Sequence, residues 1–347
     1  MSIPAGLSRV DQWLLSVALI FIIIIAVKTV SYIVTLFLMS LILTLLALPA
    51  VAWLKKKGLS DFCAVLVITC VAILIALAFV FLTYLSFNTL ISDLPQYQDE
   101  LNSRIQDITA ILNSSGISTT GGTPSVNLGD AMNFGISSLI SVVDGVMFLF
   151  FVCVTTFFML LDAPRMALRM EERFGRDSDT MRQLDKMTGY IIDFIVVRTE
   201  TNFVHGILFG GFLGIIGVHG AILWGVLTFL LGYIPYFGLV IAAVPAIFFA
   251  WLQFGTPGAL AVIAAVCVLN LVVENPVYSF LAARKFEMPA LVVILSVIFW
   301  GWLLGLVGML FSVPFTLLLL LVFEMADELR WINVTLGVSH LFEPEKG

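Results

Sequence analysis

Long apolar runs, cut at intervals by charged or glycine-rich pieces, set the pattern of this chain. Asp11 to Val27 and Thr29 to Leu54 are separated only by Lys28. Each is long enough to cross a hydrocarbon core of roughly 30 Å at about 1.5 Å per residue, which predicts a tight helical hairpin. A third run covers Asp61 to Asn88, a fourth Ile136 to Leu161, and a fifth Glu200 to His219. The runs then shorten: Ala221 to Gly232 and Leu239 to Leu252 precede Pro257 to Phe280, and Met288 to Trp300 precedes Met309 to Phe323. Segments of about 12 to 14 residues fall short of the roughly 20 that a crossing needs. The expected fold is an all-α polytopic membrane protein of about eight apolar segments, with two broken or re-entrant helical hairpins in its C-terminal half.

The first break lies inside Gly206 to Pro245, where Gly232-Tyr233-Ile234-Pro235-Tyr236-Phe237-Gly238 interrupts the apolar pattern. Proline and glycine free backbone groups that lipid cannot satisfy, so such a break belongs against protein or a wet cavity. Pro235, Tyr236 and Gly238 are therefore pathway candidates at a hairpin tip. Gly206, Gly210 and Gly214 recur every four residues and share a helical face suited to close helix packing. The second break runs from Gly301 to Gly308 and offers Gly301, Gly305 and Gly308 as matching candidates. A long helix followed by a broken pair, entered once from each side, is the logic of an inverted repeat.

Charge sets the expected orientation. Lys55, Lys56 and Lys57 follow the second run, and seven bases lie between Asp162 and Glu200, Arg198 among them. By the positive-inside rule both loops are cytoplasmic, as are both termini. The chain then divides into 1–91 with three membrane helices, 92–135 outside, 136–162 as the fourth helix, a basic cytoplasmic segment 163–200, a transport core 201–323 and a cytoplasmic tail 324–347. In the outer segment Tyr97, Leu101, Ile105, Ile108 and Leu112 form an amphipathic stripe that needs a partner. Ser114 to Gly129 is too polar to form a core and reads as a connector. After Gly175, Asp177 or Ser178 can cap a helix whose Leu184, Met187, Ile191 and Phe194 suit the inner membrane surface.

Composition strengthens the membrane reading: 61% of residues are hydrophobic, 12% are charged, and the mean hydropathy is +1.10. The net charge of −6 is spread between apolar runs and gives no footprint for nucleic acid. The four cysteines all lie in apolar runs without metal-ligand spacing, so neither a metal nor another cofactor is expected. No phosphate-binding loop, HExxH or GxSxG occurs, which points away from an enzyme and toward transport by a gradient or by facilitated diffusion. Asn270, Glu274 and Tyr278, at steps of four beside Pro276, would line one helix face as a proton, cation or polar-solute site. Asn202 and His205 share a face at the inner end of the fifth span, and Asp144 lies about eight residues into the fourth. A non-transporting scaffold or passive channel is the alternative from another class.

Tyr190 to Pro245, with GVHGAILWGVLTFLLGYIPYFG at its centre, is followed by Glu274-Asn275-Pro276 and by Gly301, Gly305, Gly308 and Pro314. In order and spacing this resembles the autoinducer-2 exporter family over nearly the whole chain. The resemblance implies a prokaryotic inner-membrane, multi-pass transporter that forms a homo-oligomer. It also implies the small polar solutes of that family, a furanone-type quorum signal among them, or sodium/proton exchange, with H+ or Na+ as coupling ion. His219 departs from the family pattern, which often has an acid at that turn.

Overall fold

Helices form where the apolar runs predict them. The computed structural model describes residues 9–114, 128–176, 178–274, 276 and 288–342, and no strand occurs among them. Helices α1 (Arg9–Thr29) and α2 (Ser31–Lys56) pivot about Val30, and α3 (Asp61–Asp93) follows the lysine triplet. A 3-10 turn (Leu94–Tyr97) leads into α4 (Gln98–Ser114). The connector expected at 114–129 lies almost wholly outside the described residues. The long α5 (Leu128–Phe174) and α6 (Asp179–Ile216) come next. Helices α2, α3 and the 144–174 part of α5 are each long and apolar enough to cross a membrane.

The basic segment differs from its expected form. It makes no separate surface helix, because Gly175 at φ 87° reverses the chain and α6 then runs unbroken from its Ser178 cap to Ile216. Ser178 Oγ accepts the Met181 N–H at 3.3 Å and so satisfies one orphan donor of the first turn. The stripe Met187, Ile191 and Phe194 packs in a core with Ile42, Trp300, Phe315 and Leu341. Burial against protein overrides the interfacial reading, since an apolar stripe cannot tell lipid from a neighbouring helix.

Beyond α6 the chain folds back repeatedly. Gly217 in the left-handed region closes the helix, with the Val218 N–H on the Leu213 carbonyl at 2.9 Å. Helix α7 (Ala221–Leu231) returns alongside α6. A Cβ at Gly206 would stand 2.8 Å from the Gly225 carbonyl oxygen, and one at Gly225 equally close to that of Gly206. Backbone thus touches backbone at Gly206, Gly210 and Gly225. Gly214 takes no part, its nearest neighbour being the Ala221 Cβ at 3.9 Å. With 11 residues α7 reaches about 16 Å, roughly half of a hydrocarbon core.

The turn 232–237 then sends α8 (Gly238–Leu269) back to the end where α7 began. This helix is folded in two at Gly255, whose φ of 68° and ψ of −161° no helix contains. A second hairpin is built from α9 (Ala290–Leu304), α10 (Leu306–Leu310) and α11 (Ser312–Met325). Its reversal repeats the first one: Gly305 has φ 71° and ψ −150°. Three residues on, Gly258 and Gly308 back onto the carbonyls of Ala250 and Trp300, where a Cβ would stand 2.6 and 2.0 Å away. Lys28 Nζ caps the freed Trp302 and Leu303 carbonyls, the latter at 3.2 Å, where an ammonium also suits the negative end of a helix.

The described part of the tail, up to residue 342, is packed against the bundle. Helix α12 (Arg330–Thr335) and a 3-10 turn (Ser339–Leu341) bring Val338 and Leu341 into the α2, α6 and α11 core. Glu324, nearly buried, is held by Arg330 Nε at 2.9 Å and by Asn333 Nδ2 at 2.9 Å.

Candidate functional site

A polar cavity of about 170 Å³ opens beside the tip of the first hairpin. Thr228 and Gly232 come from the end of α7, Ile234, Tyr236 and Gly238 from the turn, His205 from α6, and Asn270, Leu271 and Glu274 from the end of α8. The turn is shaped for this. Tyr236 adopts φ 66°, rare for a residue with a side chain, and Gly238 passes so close to the Leu231 carbonyl that a Cβ would stand 1.9 Å from it. Asn270–Glu274 is a π-helical turn, a form found at functional sites because the wider loop re-aims side chains. The four-residue spacing of Asn270 and Glu274 therefore sits on a widened turn, and both still reach the cavity.

Glu274 is not alone. Arg198 Nη1 donates to both of its carboxylate oxygens, at 2.9 and 3.1 Å, with the arginine 4% exposed and the glutamate 20%. Burying two charges costs several kcal/mol each before their attraction offsets it, so the pair must stay together to be tolerated. It also cancels the charge of the wall. Next to it His205 Nε2 lies 3.2 Å from the Leu269 carbonyl, which can only accept, so that nitrogen carries the hydrogen. Thr199 shares a 2.6 Å hydrogen bond with the Tyr233 hydroxyl and ties the tip to α6.

Several polar atoms here lack protein partners. Asn202 is fully buried with neither Nδ2 nor Oδ1 bonded, and Thr228 Oγ1 and Arg198 Nε are in the same condition. Asn202 Oδ1 lies 2.5 Å from where a Cβ of Gly232 would be, immediately behind the cavity wall. Buried unsatisfied groups in a native fold call for an occupant such as water or a ligand. Donors and acceptors both occur among them, which suits a hydroxyl group better than a bare ion of either sign. Among the described residues no cluster of His, Cys, Asp or Glu could hold a metal ion.

The candidates read from sequence therefore separate. Asn270, Glu274, His205, Tyr236 and Gly238 line the cavity, and Asn202 stands behind it. Pro235 is buried in the turn without lining it, Gly301, Gly305 and Gly308 belong to the second hairpin, and Asp144 is exposed on α5. Tyr278 falls outside the described residues. Arg198, Thr199 and Thr228 were not expected at the site. The signal for Arg198 was present: continuing Met187, Ile191 and Phe194 at steps of three and four leads to Arg198, Asn202, His205 and Phe209, all buried. A second crevice of about 220 Å³ among α2, α3 and α5 has almost wholly hydrocarbon walls and carries no comparable chemistry.

The chain has relatives among known proteins. The chain is 32% identical over 327 residues, 91% of its length and 93% of the relative's, to a Haemophilus influenzae protein that carries a transport-protein designation. It is 28% identical over 307 residues to the Escherichia coli AI-2 transport protein TqsA, covering 87% of this chain and 89% of TqsA. The E. coli transport-designated YhhT shares 27% over 311 residues, 87% of each chain. The profile of the AI-2E family transporters matches residues 14–327, from the first apolar helix to the end of the second hairpin. The fold is that of a multi-pass membrane protein, the relatives are named as transport proteins, and the chain belongs to the AI-2E transporter family.

Proposed function

We propose that this protein is a secondary transporter that exports a small, uncharged, hydroxyl-bearing solute through the cavity between the first hairpin tip and α6. The observation that carries this reading is the charge-compensated wall: Arg198 neutralises Glu274, Thr228 lines the cavity with an unpartnered hydroxyl, and the unpartnered amide of Asn202 lies directly behind Gly232. A cavity of about 170 Å³ holds about six water molecules' worth of volume, which suits a solute well below drug size. The name of TqsA makes an autoinducer-2-type signal the first solute to examine. Membership of a transporter family supports transport rather than catalysis.

Further supports concern placement. Lys55 to Lys57 and the bases of 165–182 share one end of the bundle, which supports cytoplasmic termini in a bacterial inner membrane. The first hairpin, too short to cross, then re-enters from the outer side and the second from the inner side. Broad apolar surface on α1 and α3 is available to lipid and to further copies in a homo-oligomer.

Flux from reconstituted vesicles tests the reading. A panel of small neutral polyols, including an autoinducer-2-type furanone, is compared with labelled sodium and a pH-sensitive dye, for the parent and for Asn202→Leu. Neutral-solute flux that Asn202→Leu removes is expected. Ion flux with no solute movement would overturn the assignment.

A further inference from the structure

Helices α2 and α3 are joined by a short turn at Lys57 to Ser60, and close to it they are sealed by Val51, Ala64, Val65 and Leu160. Farther along, the crevice of about 220 Å³ opens between them, with α5 as its third wall. Leu46, Ala47, Ile68, Ala72 and Cys153 line it, with Thr69 and Thr156. Both threonine hydroxyls turn away. Thr156 Oγ1 reaches the Ser40 carbonyl at 3.5 Å, and Thr69 Oγ1 is buried behind the wall.

Water does not suit such a space. The volume equals about seven waters at roughly 30 Å³ each, but a water needs at least two polar partners, and these walls are almost wholly hydrocarbon. An empty crevice would forfeit dispersion contacts along its whole lining. All three helices are long and apolar enough to cross a membrane, so the medium that meets the opening is acyl chain.

The same face of α2 carries an anchor for a headgroup. From Leu46 and Ala47, helical steps of three and four lead through Ala50 and Trp53 to Lys57. Lys57 Nζ lies 3.9 Å from the centroid of the exposed Trp53 ring, a pairing that suits the membrane–water boundary. Asp61 offsets Lys55 at 2.8 Å, so Lys56 and Lys57 leave this corner positive. The rise from Leu46 to Lys57 is about 16 Å at about 1.5 Å per residue, close to half of a hydrocarbon core.

We propose that the crevice holds one acyl chain of an anionic glycerophospholipid whose headgroup rests on Lys57, beside Trp53. The distal half of the chain wedges between α2 and α3 where they part and supplies contacts that neither helix can. The positive corner selects the headgroup. This site lies apart from the polar cavity, and the inference does not depend on which solute crosses.

Photolabelling of the full chain in a phosphatidylethanolamine-rich nanodisc tests it. The bilayer is doped with phosphatidylglycerol, or with phosphatidylcholine, carrying a diazirine in the distal half of one acyl chain, and peptide mass spectrometry locates the adducts. Phosphatidylglycerol adducts are expected on Leu46 and Cys153 in excess of those on Leu74 and Leu77 of α3, although the latter pair is 65% and 50% exposed. Ala72→Phe fills the crevice and should remove the Leu46 and Cys153 adducts while keeping those on Leu74 and Leu77, which also reports an intact bundle. Lys57→Gln should cut the preference for phosphatidylglycerol over phosphatidylcholine by about fivefold, the worth of roughly one lysine at an anionic surface. Labelling that merely follows exposure would overturn the site and leave the crevice to another copy of the chain. So would an Ala72→Phe protein labelled like the parent. A Lys57→Gln protein with the parent's headgroup preference, or a parent with none, would overturn the anionic lipid.

Discussion

The ring of Tyr233 stacks on that of Phe311, with centroids 6.2 Å apart and planes 21° from parallel. Tyr233 belongs to the tip of the first hairpin and Phe311 to the second, so two elements that open toward opposite ends of the bundle meet at this pair. Tyr233→Phe keeps the stack and loses the Thr199 bond, which is worth about 1 kcal/mol. Tyr233→Ala loses both. A modest drop in melting temperature for the first and a clearly larger one for the second are expected in detergent, and equal drops would show that the ring contact contributes nothing.

Breaking the buried ion pair should harm folding as well as transport. Glu274→Gln leaves Arg198 charged and buried, which costs about 3 to 5 kcal/mol. The sequence alone suggests a glutamate that governs transport more than stability; the partner changes that expectation. The double change Arg198→Met with Glu274→Met removes the orphan charge and should recover much of the lost stability while leaving flux low. Thermal unfolding of the three proteins at matched levels checks the order.

Close helix contact at Gly225 predicts a contrast with Gly214. Gly225→Ala pushes a methyl against the Gly206 carbonyl and should cost about 1 to 3 kcal/mol, whereas Gly214→Ala meets only ordinary van der Waals distance. Comparable melting temperatures for these two variants would contradict backbone contact between α6 and α7.

Gly305 and Gly308 should fail for different reasons. Space around Gly305 is open, but its backbone lies where residues with a side chain are strained by about 1 to 3 kcal/mol. Gly308 has an ordinary backbone and no room beside the Trp300 carbonyl. Gly308→Ala should therefore be the more damaging, as judged by the yield of monodisperse protein, and the reverse order would question the reversal geometry.

Much of this was readable from residue order. The apolar runs located α1, α2, α3 and α5, the amphipathic stripe located α4, and the glycine and proline breaks at 232–238 and 301–308 marked the turn that borders the cavity and the second reversal. At Gly255 the boundary between the runs Leu239 to Leu252 and Pro257 to Phe280 was visible in the sequence, but the sharp fold of one helix on itself is known only from its dihedrals. The polar face at Asn202, His205, Asn270 and Glu274 was legible as a set of costly residues, yet its electrostatics was not. Arg198 was counted with the cytoplasmic bases because positive charge near an apolar run signals topology. Only three-dimensional pairing reveals an arginine that leaves the loop for the interior.

The twin reversals at Gly255 and Gly305 differ in one residue type. Pro257 stands in the first turn after Gly255, whereas Leu306 and Val307 follow Gly305. A pyrrolidine ring fixes φ and removes conformational freedom from its segment. The chain just beyond Gly255 is therefore the more restricted of the two. The joint at Gly305 retains its torsional freedom. What restrains the second joint is instead a side chain from the first helix, since Lys28 holds the Trp302 and Leu303 carbonyls just ahead of Gly305.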